Sequence, residues 1–273
     1  MSTDTSTLSP LIGVFDSGVG GLSVLREIRR VLPDARLIFL ADQAHVPYGK
    51  HSLEEVRQFS EAATQRLLDR GAQMIVVACN SASGAALQYL RQGFPCVPFV
   101  GMEPAIKPAA ALTRSGVVGV LATWVTFNGP LYASVVERFA HGVTLLQSTC
   151  PGLVEQIEAG ELDSPTTRAI LQGALLPMLA RGADTVVLGC THYPFVSPLI
   201  QDIGGPGFAI IDPAPAVARQ TARLIQLNGI TGVPEDAAQS QQTVFLTTGN
   251  AEKLAALLPK LLGETAEVEH LDA

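Results

Sequence analysis

The strongest constraint on the fold of this chain is a ten-residue pattern that occurs twice. Residues 70–79 read Arg-Gly-Ala-Gln-Met-Ile-Val-Val-Ala-Cys, and residues 181–190 read Arg-Gly-Ala-Asp-Thr-Val-Val-Leu-Gly-Cys. Each copy has a helix end, a Gly-Ala turn, an apolar run of strand length and a closing cysteine. Other segments repeat in the same order. Ile12-Gly-Val-Phe-Asp-Ser17 matches Val118-Gly-Val-Leu-Ala-Thr123, and Pro47-Tyr48-Gly49 has a looser counterpart in Cys150-Pro151-Gly152. The chain reads as two related units.

Within the first unit, strand and helix patterns alternate. Residues 11–15 form an apolar run. Residues 22–32 have helical spacing, with Leu22, Leu25, Ile28 and Val31/Leu32 on one face. Strand patterns follow at 35–40 and 74–78, and helical ones at 53–68 and 83–91. Such alternation predicts parallel sheets covered on both faces, an α/β fold of two doubly wound domains. Hydrophobic residues at 47% and charged residues at 16% can supply the core this needs. We place the first domain at 11–103, rejoined by 213–273 after the Pro-rich Asp212-Pro-Ala-Pro215, with a last strand at 244–247. The second domain covers 104–212. Parallel sheets bind ligands past the carboxyl ends of their strands, where the turns Asp16-Ser17, Cys79-Asn80 and Cys190-Thr191 would lie.

Several function classes recede. The net charge is −7 and no basic cluster stands out, so nucleic acid and anionic membranes are not expected partners. No apolar stretch approaches the roughly 20 residues of a membrane helix. The first seven residues read as a flexible tail without secretory character, which points to the cytoplasm. There is no Cys-x-x-Cys, so no zinc ribbon or thioredoxin motif is expected. The glycines at 18–21 lack both the Gly-x-Gly-x-x-Gly pattern and the Lys-Ser/Thr of a phosphate loop. Cys96 and Cys150 read as core packing. Trp124 either narrows a cleft edge or packs.

Cys79 and Cys190 stand apart because they occupy equivalent places in the repeat, each beside a polar loop. Two like domains facing each other put them on opposite walls of one cleft. Racemisation needs that arrangement: a base takes a proton from one face of a stereocentre and an acid returns one on the other. A thiol titrates at about 8.5, close enough to neutrality for either role, and a helix N-terminus after each strand would favour the thiolate. No sequence feature indicates a cofactor or a metal. The carbanion-like transition state then needs fixed donors, for which Asn80, Ser81, Thr123, Thr191 and the amides at 17–21 are the candidates.

Val14-Phe-Asp-Ser-Gly-Val-Gly-Gly21, Pro47-Tyr-Gly49, Ala78-Cys-Asn-Ser-Ala82 and Gly189-Cys-Thr-His-Tyr-Pro194 together resemble the glutamate racemases, from about residue 12 to 249. The resemblance implies a pseudosymmetric two-domain fold with the site in the cleft, and interconversion of L- and D-glutamate for peptidoglycan synthesis. It also implies no cofactor and a homodimer. By the family pattern Cys79 acts on D-glutamate and Cys190 on L-glutamate, with Asp16 assisting near Cys79 and His192 near Cys190. Asp16, Ser17, Tyr48, Gly49, Asn80, Ser81, Thr191 and His192 match substrate contacts. Glu158 matches an acidic residue near the second cysteine. Position 81 is Ser where the family commonly has Thr, which keeps the hydroxyl.

Three other readings stay open at this point. Aspartate or hydantoin racemases share the two-cysteine logic. Asp16, Cys79, Cys190 and His192 could form a zinc site in a hydrolase. A two-lobed binding protein would need no opposed thiols. Taken singly, Asp16 also suits a helix cap, Tyr48 packing and His192 a satisfied surface histidine.

Overall fold

The computed structural model describes residues 9–232 and 242–273; the segment read as a flexible tail lies outside the described residues. The first half runs β1 (Leu11–Asp16), α1 (Leu22–Val31), β2 (Arg36–Ala41), α2 (Leu53–Asp69), β3 (Met74–Val77), α3 (Asn80–Gly93) and β4 (Phe99–Val100). The second runs α4 (Ile106–Leu112), β5 (Val117–Ala122), α5 (Trp124–Asn128), α6 (Pro130–Phe139), β6 (Thr144–Ser148), α7 (Leu153–Glu158), α8 (Pro165–Ala180), β7 (Thr185–Gly189), α9 (Ser197–Gly204) and β8 (Ala209–Ile211). The chain closes with α10 (Ala214–Leu227), β9 (Thr243–Thr247), α11 (Ala251–Leu261) and β10 (Val268–His270).

Two parallel sheets result, ordered β10-β9-β2-β1-β3-β4 and β6-β5-β7-β8. The four strands β2-β1-β3-β4 match β6-β5-β7-β8 position for position. In each half the first strand is central, the second pairs on one side and the third on the other. Val14 of β1 sits between Phe39 and Val76, as Val120 of β5 sits between Gln147 and Val187. The chain winds one way and then the other from the central strand. That reversal opens a crevice at the carboxyl ends of β1 and β3 in one half and of β5 and β7 in the other.

The strands are apolar on both faces because helices cover both. Ile12 and Val14 enter a hydrophobic cluster that continues through Leu121 and Leu188 of the second half, while Leu11 and Phe15 face an outer cluster. Burying one such Val, Leu or Phe contributes about 1.5–3 kcal/mol. On α1, the buried Leu22, Leu25 and Ile28 recur at helical spacing. Ser52 starts α2 with a full capping box to Glu55.

Some boundaries depart from the sequence expectation. α3 begins at Asn80 rather than 83, because Cys79 itself caps it: the Ala82 N–H donates to Cys79 Sγ at 3.4 Å. The strand β10 joins the first sheet beside β9, which its three residues, Val-Glu-His, are too short and too polar to announce. Cys96 is exposed, not in the core. It sits in the turn after α3, where Phe94 and Val97 supply the apolar contacts instead. Cys150 is buried, as read, and burial pushes its thiol up to about 12. Trp124 is 64% exposed and so does not pack into the core. Among the described residues no helix is long and apolar enough to cross a membrane.

Candidate active site

The two crevices face each other. One cavity is lined by Ser17, Tyr48, Gly49, Cys79, Asn80 and Ser81 from the first half and by Thr123, Cys190, Thr191 and His192 from the second. Its open space is only about 10 Å³, room for a single water. Cys79 is 4% exposed and Cys190 6%. Ser81 Oγ and Thr123 Oγ1 share a hydrogen bond of 2.9 Å across the gap. Further out, Lys50 Nζ meets Glu155 Oε1 at 2.7 Å and ties the halves at the surface.

The surroundings of the two sulfurs differ. Cys79 Sγ lies 3.8 Å from Ser17 Oγ and caps α3. Burial, then the nearby Asp16 carboxyl, hold its thiol well above the usual range, against the pull of the Ala82 N–H. Asp16 is fully buried at the end of β1. Its Oδ2 accepts from the Gly21 N–H at 2.7 Å and from Thr191 Oγ1 at 3.3 Å. Burial raises this carboxyl, partly offset by His192.

Cys190 Sγ lies 3.7 Å from His192 Nδ1. The other ring nitrogen, Nε2, donates to Glu158 Oε1 at 2.6 Å. Burial opposes a charge on His192, yet Cys190 and Glu158 overcome it and hold the imidazole well above its usual value. Burial likewise opposes the Glu158 charge, and His192, Gln43 and the Val19 N–H outweigh it, keeping the carboxyl below its ordinary range. The helix N-terminus expected directly after Cys190 is absent. The chain instead makes a 3-10 turn at Tyr193–Val196 and α9 starts only at Ser197. Pro194 in the turn and Pro198 at the next helix start set this path.

All twelve sequence-derived candidates gather here, in two layers. Asp16 and Glu158 stand behind the wall, each bonded to residues on it. The Tyr48 hydroxyl is already engaged, donating to Asp42 Oδ2 at 2.6 Å, and Gly49 packs on Thr123. Asn80 is the exception to this satisfaction. It is 4% exposed, lines the cavity, and neither its Oδ1 nor its Nδ2 has a partner among the described residues. Buried amides are normally paired, so both atoms are available to a ligand. Close approach explains the glycines of the first loop: a Cβ on Gly20 would collide with His192 Nδ1, Thr191 Oγ1 and Asp16 Oδ2. The zinc reading finds no support in the donor geometry, since among the described residues no three His, Cys, Asp or Glu side chains converge as a metal-ion cluster.

This geometry has known relatives. A family profile described as Asp/Glu/Hydantoin racemase matches residues 12–221. The chain belongs to the Asp/Glu/hydantoin racemase family. It groups there with the glutamate racemases, isomerases acting on an amino acid. The glutamate racemase of Ectopseudomonas mendocina is 50% identical over 257 residues, 94% of this chain and 96% of that protein. That of Roseiflexus sp. is 52% identical, over 92% of this chain and 91% of its own. The crystal structure of Escherichia coli glutamate racemase, in complex with L-glutamate and the activator UDP-MurNAc-ala, superposes with a TM-score of 0.84 at 34% identity. It covers 97% of this chain and 98% of that one.

One contributor to this racemase-family site escaped the sequence reading. Gln43 binds Glu158 from the opposite half, beside the Val19 amide, one of the 17–21 loop amides already named as donors, which binds the protein's own carboxylate. Gln43 does stand in a polar run, Asp42-Gln-Ala-His45, between a strand and Pro47-Tyr-Gly49, the one local hint that this turn carries more than a change of direction.

Proposed function

We propose that this protein interconverts L- and D-glutamate without a cofactor, using Cys79 and Cys190 as the two proton carriers. The observation that carries the reading is their placement: two cysteines at matched strand ends of a duplicated fold, on opposite halves of one closed cavity. The units 11–103 with 213–273 and 104–212 are the two jaws. Glutamate as substrate rests on the names of the relatives and on the L-glutamate held by the E. coli structure.

The chemistry follows from the walls. With L-glutamate, Cys190 as thiolate takes the α-proton and becomes a thiol. Cys79 as thiol gives its proton to the opposite face of Cα and becomes a thiolate. The D substrate runs the same steps backward. The raised thiol of Cys79 suits the donor state before L-glutamate binds. In the reverse direction the substrate ammonium offsets the burial that disfavours its thiolate. Charge developing on the α-carboxylate is met by the free Asn80 amide, by Ser81, Thr123 and Thr191, and by the first-turn amides of α3. Ser17, Tyr48 and Gly49 complete the substrate wall. Asp16 adjusts the proton affinity of Cys79, and His192, held by Glu158, stands beside Cys190.

The reading extends to a cytoplasmic homodimer whose D-glutamate serves peptidoglycan synthesis. Its test is substitution of each thiol. Cys79→Ser and Cys190→Ser each lower racemisation by about 10²–10⁴-fold, the usual worth of a positioned proton-transfer group, read by polarimetry. A serine variant that racemises near the parent rate removes the two-thiol mechanism.

A further inference from the structure

We infer that Gln43 is a positioning residue that assembles the Cys190 side of the site from the opposite half of the molecule. The inference rests on the two-thiol reading above and adds a dependence that this reading lacks. Gln43 opens the 3-10 turn Gln43–His45 after β2 and does not line the cavity. Its Nε2 donates to Glu158 Oε2 at 2.8 Å, and its Oε1 accepts from Thr247 Oγ1 at 2.9 Å. Thr247, at the end of β9, is fully buried, and its Oγ1 accepts from the Gly249 N–H at 2.9 Å. The hydroxyl proton of Thr247 is therefore directed at Gln43 Oε1. That orients the amide so that only its N–H side faces Glu158.

Glu158 belongs to α7 in the second half, yet two of its three donors, Gln43 Nε2 and the Val19 N–H, come from the first. The third is His192. Each carboxylate oxygen thus has a donor from across the interface, and Oε1 also takes the imidazole. A carboxylate held this way orients the ring and fixes where Nδ1 meets Cys190. When the halves part, both cross-interface donors leave together. Support of His192 is consequently complete only when the jaws are shut, whereas Asp16, Ser17 and α3 remain with Cys79 throughout. The chain from Thr247 through Gln43, Glu158 and His192 couples closure to Cys190 more strongly than to Cys79, whose neighbour Asp16 gives up only the 3.3 Å bond from Thr191 Oγ1 and keeps the Gly21 N–H.

The test compares Gln43→Leu, Thr247→Val and Thr247→Ser with the parent. L- and D-glutamate have equal free energy, so kcat/KM must fall equally in the two directions. The asymmetry shows in the isotope effects. Weakening the Cys190 step makes it limiting both ways. In Gln43→Leu and Thr247→Val, kcat/KM drops about 10–100-fold, as for a small misplacement of a reacting group. The isotope effect with α-deuterated L-glutamate rises, while that with α-deuterated D-glutamate falls toward one. Thr247→Ser keeps the hydroxyl and restores parent behaviour. A second readout needs no turnover: the titration midpoint of His192 by nitrogen NMR falls in Gln43→Leu, because Glu158 without its Oε2 donor swings off Nε2 while Cys190 and Asp16 stay beside the ring. An unchanged midpoint overturns the inference even if the parent racemises. A parent that exchanges no α-proton overturns the two-thiol reading instead, and the midpoint still decides for or against Gln43. Rates that fall with both isotope effects unchanged also count against it.

Discussion

At the scale of single residues, the buried His192–Glu158 pair decides how the Cys190 side responds to pH. Folding holds His192 above its ordinary 6.5, so its contribution to stability is complete below pH 6.5 and is lost as pH rises through the raised value. Folding holds Glu158 below its ordinary 4.5, so its contribution is present above that value and is lost as pH falls through the lowered one. Between them the pair is whole. Glu158→Gln removes the charge partner while the ring stays buried. The ring then sheds its proton more easily, and the His192 midpoint falls. Stability near pH 6 falls by about 1.5–3 kcal/mol, the worth of a charged hydrogen bond, measured by urea unfolding. An unchanged midpoint would show that Glu158 does not govern the ring. At this scale the sequence was legible for Cys79, Cys190, Asp16 and Asn80, because each abuts a strand end in a repeated or polar motif. It was silent on Gln43, whose partner Glu158 is 115 residues away, and local pattern carries no signal over that span.

At the scale of elements, short apolar runs and helical spacing placed β1, β2, β3, α1 and α2 to within about a residue or two, as strong periodicity does. Capping chemistry was harder to see. A cysteine is an uncommon cap, so the start of α3 at Asn80 was missed. The 3-10 turn after Cys190 was missed because two prolines, not an apolar pattern, define it. The glycine turn after β1 is the element most exposed to substitution. Gly20→Ala drives a methyl into Asp16, Thr191 and His192, and overpacking of this kind costs about 1–3 kcal/mol. Activity falls more steeply, by about 10–100-fold, because the same push moves the groups around both thiols. Gly173, inside α8 with nothing near its Cβ position, serves as the control. Gly173→Ala adds up to about 1 kcal/mol and leaves activity unchanged. Thermal melts and initial rates on the two variants check the contrast, and equal activity in both would detach the turn from the site.

At the scale of the whole molecule, duplication put two switch points face to face, and the repeated Arg-Gly-Ala…Cys pattern carries that duplication in the sequence itself. The tightness of the closure was not readable. It depends on Ser81 meeting Thr123, Lys50 meeting Glu155 and Glu158 meeting Gln43, pairs that no single segment contains. With about 10 Å³ between the walls, glutamate enters only when the jaws part. The four cysteines report this. Cys96 is exposed, while Cys79, Cys150 and Cys190 are buried. An alkylating reagent therefore modifies Cys96 first with activity retained. Loss of activity follows slowly, at the rate of opening, and glutamate delays it. Activity lost in step with Cys96 labelling would show that the cleft stands open in solution.

The central claim, proton exchange at Cα by two thiols without a cofactor, is tested most directly by incubating the purified metal-free protein with L-glutamate in heavy water. Optical rotation and the α-proton signal are followed together. The account predicts that rotation decays to zero while deuterium enters Cα, and that the D-glutamate first formed already carries deuterium. D-glutamate that retains the original proton would contradict it, since a single group would then be moving the proton from one face to the other.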